Sequence, residues 1–285
     1  MNWHALREKL CFRFLPPVVD WLVDLSTWRA RSILSRRPLD VLIDVNVFAH
    51  AVTHETQWIQ TGFSAEWNAP LGYMARVPVH APDCTTRVYN SIKHLPGIAR
   101  LAKGDVLQLK TSVELRAEEY RLSAARLYGG GGYDYSLLRE AQTKSVDTTP
   151  FGGHSIQDLA DKRLQRARLD TSGDALYRAL VGHLEQKRSQ DAWHIRTAEA
   201  HGCFCFLTMD FNLLDAIDAV KHLDPFPSLR TKVMSPEQLG KHLQLTPIPP
   251  VFFSYHDASF PVRPDLHQPD SKRFDWKSKQ TAKDR

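Results

Sequence analysis

Two kinds of apolar pattern alternate along this chain. Short unbroken runs, Val41-Leu42-Ile43 behind Leu39-Asp40 and Cys203-Phe204-Cys205-Phe206-Leu207, are too brief for helices, so each predicts a strand buried on both faces. Both end in an acid: Asp44, with Asn46 on the turn beyond, and Asp210, between Thr208 and Asn212. Residues 105–110 predict another strand and residues 231–234 a last short one, followed by a helix that Ser235 caps with Pro236 at its first position. Helical spacing fills the intervals. Val18, Trp21, Leu22, Leu25 and Trp28 mark a helix over 17–34, started by Pro16-Pro17, whose apolar side is expected to pack on the core. Val113, Ala117, Tyr120, Ala124 and Leu127 mark one stripe to residue 127, and residues 154–190 read as two helical pieces parted near 170–173. Residues 191–202 form a helix with Asp191 near its start and Gly202 at its C-cap; residues 213–222 form another.

Strand–helix alternation predicts an α/β fold, a three-layer sandwich around a central parallel sheet with right-handed crossovers. Residues 1–38 form an N-terminal helical extension, 39–245 the main domain, and 246–285 an extended, largely disordered tail rich in proline and basic residues. Two insertions interrupt the domain. Residues 57–104 combine Trp58, Trp67 and several prolines in a hairpin or short helices; residues 129–153 open on four consecutive glycines and read as a mobile loop.

The chain of 285 residues carries a formal charge of +5, and the segment 271–285 alone contributes +4 of it. The body is therefore nearly neutral, which permits a polyanion partner without demanding one. Lys162, Arg163, Arg166, Arg168, Lys187 and Arg188 make a solvated basic face or a phosphate track. Four cysteines, Cys11, Cys84, Cys203 and Cys205, are no disulfide framework, and Cys203 and Cys205 suit small buried positions. Charges and prolines break the apolar patches of residues 10–25, which argues against a membrane span or signal peptide and for a cytoplasmic protein. His50 and His54 stand four apart on the expected helix but lack the glutamate of a zinc hydrolase, so a surface pair is expected there.

Parallel strands bring their carboxyl ends to one edge, where Asp44 and Asp210 arrive on strands and Glu118 and Asp191 on helices. Thr111-x-x-Glu114 has the form of a capping box, which gives Glu114 a structural duty that Glu118 does not have. Four carboxylates in one crevice repel each other unless a cation sits among them, and hard oxygen donors select Mg²⁺ or Mn²⁺.

Leu42-Ile43-Asp44-Val45-Asn46, Ser112 followed six positions on by Glu118, Asp191-x-x-His194-Ile195-x-x-Ala198-x-x-x-Gly202 and Leu207-Thr208-x-Asp210-x-Asn212 occur in that order. The set, closed by residues 232–237, resembles the PIN-domain nucleases, with Glu114 or Glu119 as other occupants of the central acidic position. The resemblance implies metal-dependent hydrolysis of phosphodiesters, most often in RNA. Asp44, Glu118, Asp191 and Asp210 would be catalytic metal ligands for Mg²⁺ or Mn²⁺, with Asn46, Thr208 and Asn212 in support. It also implies RNA or single-stranded DNA as partner, with an antitoxin-like protein or a second copy of the chain beside it, and no membrane. The two insertions depart from the compact toxins of the family. Three other readings compete: a catalytically inactive nucleic-acid- or protein-binding module of the same fold, an aspartyl-phosphate phosphatase, which wants an acid where Asn46 stands, and a generic α/β domain in which Asp44, Asp191 and Asp210 are unrelated caps.

Overall fold

A computed structural model describes residues 3–34, 38–64, 66, 69–80, 85–129, 132–147, 161–258, 260–263 and 265–266. The central sheet is built from β1 (Leu39–Ile43), β4 (Leu107–Thr111), β5 (Thr143–Ser145), β6 (Cys205–Leu207) and β7 (Lys232–Met234). All pairings are parallel and the spatial order is β5-β4-β1-β6-β7. β1 lies in the middle because its run is apolar without a break. Val41, Leu42 and Ile43 are all at most 1% exposed although successive side chains point to opposite faces, so both faces are covered. The same holds for Cys205, Phe206 and Leu207. The chain leaves β1 toward β4 on one side and returns to β6 on the other, so the sheet switches direction at β1, where open α/β sheets form their ligand crevice.

Helices cover the sheet in two packed groups. One joins α1 (Trp3–Leu34), α3 (Arg87–Ile92), α4 (Leu95–Lys103) and α11 (Pro236–His242); the other joins α7 (Lys162–Asp170), α8 (Ala175–Leu184) and α9 (Ser189–Ala200). α2 (Val45–His50) packs on α5 (Val113–Glu119) and α6 (Ala124–Tyr128), and α10 (Phe211–Val220) follows β6. The predicted Ser235 cap is complete, a capping box with Gln238, and Gly202 turns the chain after α9 at φ +63°. Cys203 and Cys205 are buried, and burial pushes the Cys203 thiol up to about 11. No helix among the described residues is long and apolar enough to cross a membrane.

Several sequence expectations are corrected. α1 runs straight through Pro16 and Pro17 and gives up two main-chain donors there, rather than starting at them. It also packs the other way round: Val19, Val23, Ser26, Thr27 and Ala30 face the body, while Val18, Trp21, Leu22, Leu25 and Trp28 are exposed. The expected stripe from 113 to 127 is two helices, because Ser123 caps a new one through the Arg126 N–H. Residues 129–153 are not simply loop, since Thr143–Ser145 pairs with β4 as the sheet edge. Insertion 57–104 holds a two-stranded antiparallel ribbon, β2 (His54–Ser64) with β3 (Ala69–Pro78), and then α3 and α4. α2 therefore ends before His54, which starts β2, is 1% exposed and lies 2.9 Å from Thr53 Oγ1. Burial and the Arg76 cation push His54 down to about 3, so it is a neutral core side chain and not half of a surface pair.

The stretch read as a tail divides. Residues 246–258 dock on the body, with Ile248, Phe253, Ser254 and His256 buried, whereas 267–285 lie outside the described residues. This docking completes the surroundings of Arg76, which is fully buried at the base of the ribbon. Its guanidinium pairs with Asp134 and donates to the Ser254 carbonyl. Burial opposes its charge and Asp134 supports it.

Candidate active site

The crevice at the carboxyl edge of β1 and β6 encloses about 650 Å³ and is lined by Asp44, Glu118, Asp191 and Asp210 together. Each arrives by local logic. Asp44 ends β1 and caps α2, its Oδ1 accepting from the Asn46 N–H at 3.4 Å. Asp210 follows β6 and caps α10, accepting from the Leu213 N–H at 3.0 Å. Both acids are thus helix caps and also members of one crevice. Asp191 sits in the first turn of α9, and Glu118 in the last turn of α5.

Thr208 ties the two strand tips together. Its hydroxyl donates to Asp44 Oδ2 at 2.7 Å and accepts from Asn46 Nδ2 at 3.1 Å and from the Asp210 N–H at 3.0 Å, which uses its full hydrogen-bonding capacity. Asn46 Oδ1 in turn accepts from the Met209 N–H at 2.9 Å. Asn46 and Thr208 therefore form the clasp between β1 and β6, whereas Asn212 only lines the wall.

Among the three candidates for the central acid, only Glu118 lines the crevice. Glu114 pairs with Arg168 at 3.0 Å. It is not part of a capping box with Thr111, because Ser112 caps α5 through the Leu115 N–H and Thr111 belongs to β4. Glu119 is half-buried outside the crevice, and burial raises its carboxyl.

The acids perturb one another. Burial first, and Glu118 next, push Asp44 up to about 7, against the pull of His194 and the Thr208 hydrogen bond. Burial pushes Asp191 up to about 6, with Asp210 and Glu118 adding to the rise and His194 opposing it. Glu118 goes the other way: burial would raise it, but His194, Arg121 and the Gln165 amide outweigh burial and hold it below the usual carboxylate range. His194 is raised in return, because Glu118, Asp44 and Asp191 together overcome its burial. Its Nε2 is 3.0 Å from Glu118 Oε1, and its ring lies 5.8 Å from that of Phe206.

His194 and Gln165 are the residues that sequence reasoning passed over as site residues. His194 stands three positions after Asp191, on the same helix face, and that spacing was the available signal; in the fold the ring is 1% exposed. Gln165 gave none. It is fully buried on a helix otherwise rich in arginine, where it donates to Glu118 Oε1 at 3.3 Å and to the Glu114 carbonyl at 3.2 Å and accepts from Arg121 and Gln190.

These commitments affect metal binding. Among the described residues, no three His, Cys, Asp or Glu side chains form a group that could hold a metal ion. Glu118 is turned toward His194 and Gln165, Asp44 toward Thr208, and Asp210 toward the helix it caps. Donor type and mutual repulsion suit a hard cation; a preassembled cage is absent among the described residues.

Arg121, Arg126, Lys162, Arg166, Lys187 and Arg188 line the same crevice as the acids. Folding therefore gathers bases that looked scattered in the sequence, although Arg168 is spent on Glu114. Comparison with family models, with curated protein sequences and with solved structures gives no match to this chain.

Proposed function

We propose that this chain is a divalent-metal-dependent nuclease of the PIN-like type, an endoribonuclease hydrolysing phosphodiester bonds with Mg²⁺ or Mn²⁺. The observation that carries the reading is the crowding of Asp44, Glu118, Asp191 and Asp210 in one crevice, with Asp44 pushed up to about 7 and Asp191 to about 6. Capping accounts for Asp44 and Asp210 one at a time but not for four acids in one crevice, and a divalent ion would relieve the repulsion. The central strand order counted along the chain, 3-2-1-4-5, and the acids at the switch point support it.

When bound, the ion supplies a water of lowered pKa and neutralises charge on the phosphate. The chain's own residues do the rest. Thr208 holds Asp44 in place, and His194 with Gln165 holds Glu118. The basic wall takes the phosphates flanking the scissile one, which fits a single-stranded backbone.

A second reading, a binding module of the same fold without catalysis, draws on the absence of a three-ligand group among the described residues. One experiment separates them: calorimetry with Mg²⁺ and Mn²⁺ on wild type and Asp210→Asn, with RNA and single-stranded DNA cleavage measured on the same samples. Metal binding and RNA cleavage that both fail in the variant support the nuclease. RNA binding that ignores metal, with no cleavage by a folded wild type, moves the assignment to the module.

A further inference from the structure

The long helix α1 turns its largest apolar side chains away from the protein it belongs to. Phe14, Val18, Trp21, Leu22, Leu25 and Trp28 are 52, 50, 58, 37, 45 and 61% exposed, and none of them lines the acidic crevice. At 3.6 residues per turn, Trp21 and Trp28 stand about 160–180° from Val19 and Ala30, which anchor the helix to the body. The solvent pole of α1 is thus its apolar pole, the reverse of an ordinary surface helix. Phe14, Val18, Trp21, Leu25 and Trp28 follow one another at spacings of four, three, four and three, the seam of a two-stranded coiled coil.

We propose that this face pairs with the same face of a second copy of the chain, in a parallel two-fold arrangement. Area supports it. The six side chains show on the order of 600 Å² per copy, so a pair covers about 1,200 Å², the lower bound of a specific interface. Charge supports the direction. In the parallel pair, position i faces i+5 across the seam, which sets Asp24 against Arg29 of the second copy and Leu10 against Leu15. Asp24 already meets Arg31 at 3.2 Å and Arg100 of α4 at 3.4 Å but keeps half its surface, and Arg29 lies exposed over the Trp28 ring. Because the seam lies opposite the anchoring side, the two bodies point outward and do not compete for space. A lipid surface fits less well, since Asp20 and Asp24 interrupt the basic residues beside the seam.

The test is sedimentation velocity on the full chain, wild type against the double variant Trp21→Glu, Leu25→Glu. The wild type is expected at twice the 32.5 kDa chain mass, and the variant at the single mass with unchanged far-UV circular dichroism. A second variant, Leu25→Cys in a Cys11→Ser background, is expected to form a covalent dimer under mild oxidation, because in the parallel pair Leu25 meets itself. A wild type that stays monomeric overturns the proposal, whether the face then takes lipid vesicles or residues 267–285. A dimer that survives the double variant, or no covalent dimer from Leu25→Cys, overturns it equally.

Discussion

Replacing Asp44 with Asn should stabilise the metal-free protein, an outcome that a purely structural cap would not give. Asp44 rises from an ordinary 3.8 to about 7 in the folded chain, so the folded state holds this proton more tightly than the unfolded one. Stability is therefore unpenalised below about pH 4, falls as pH climbs through the window up to about 7, and stays low above it. A rise of about 3 units corresponds to at most about 4 kcal/mol. Part of this is shared with Glu118 and Asp191, which also gain when one charge leaves. Asparagine keeps an oxygen for the Thr208 hydroxyl but turns its NH₂ toward the Asn46 N–H, a mismatch costing about 1 kcal/mol. The net gain at pH 8 is about 2 kcal/mol, or roughly 4–8 °C in Tm for a domain of this size. Thermal unfolding with a chelator at pH 8 and again at pH 4 measures it. A variant less stable than wild type at pH 8, or a gain of equal size at both pH values, would refute the electrostatic reasoning.

Three more outcomes follow from the same site. Saturating Mg²⁺, at about 100 times its Kd, should stabilise wild type by about 2.7 kcal/mol and leave Asp44→Asn unchanged in a thermal shift experiment. His194→Ala strands the Glu118 charge in a largely buried position and should cost about 3 kcal/mol in urea unfolding; a loss below about 1 kcal/mol would make the pair no better than a surface one. Arg126→Ala and Lys162→Ala should each weaken single-stranded RNA binding and lower the slope of log affinity against log salt by about 0.7, with Arg163→Ala, which does not line the crevice, as the silent control.

The strands at the centre of the sheet were legible because β1 and β6 are buried on both faces and so carry unbroken apolar runs. Edge strand β5 was not: Thr-Lys-Ser has one partner strand and intermediate or exposed side chains, so no periodicity marks it. Asp44, Asp191 and Asp210 were found from their places at element ends, which are local features, and Glu118 as an acid beside a helical stripe with no capping duty. Of the partners that set their protonation, His194, 76 residues from Glu118, carried one local hint in its place one turn after Asp191, whereas Gln165, 47 residues away, follows from packing alone. For α1, the spacing marked the helix but pointed its large apolar side chains to the core, whereas the smaller Val19, Val23, Ser26, Thr27 and Ala30 are the ones buried.

Arg76 sets a condition on the order in which the molecule can be completed. Its counter-charge is 58 residues downstream, at Asp134, and the carbonyl it donates to is 178 residues downstream, at Ser254. During synthesis at about 5–20 residues per second, the ribbon base emerges many seconds before Ser254 is made. Until then the guanidinium is best served by water, so the ribbon root stays open although its own strands are long finished. Closure of this corner thus waits for the C-terminal segment, and the contact that caps it spans most of the described chain, which makes its formation slow on topological grounds.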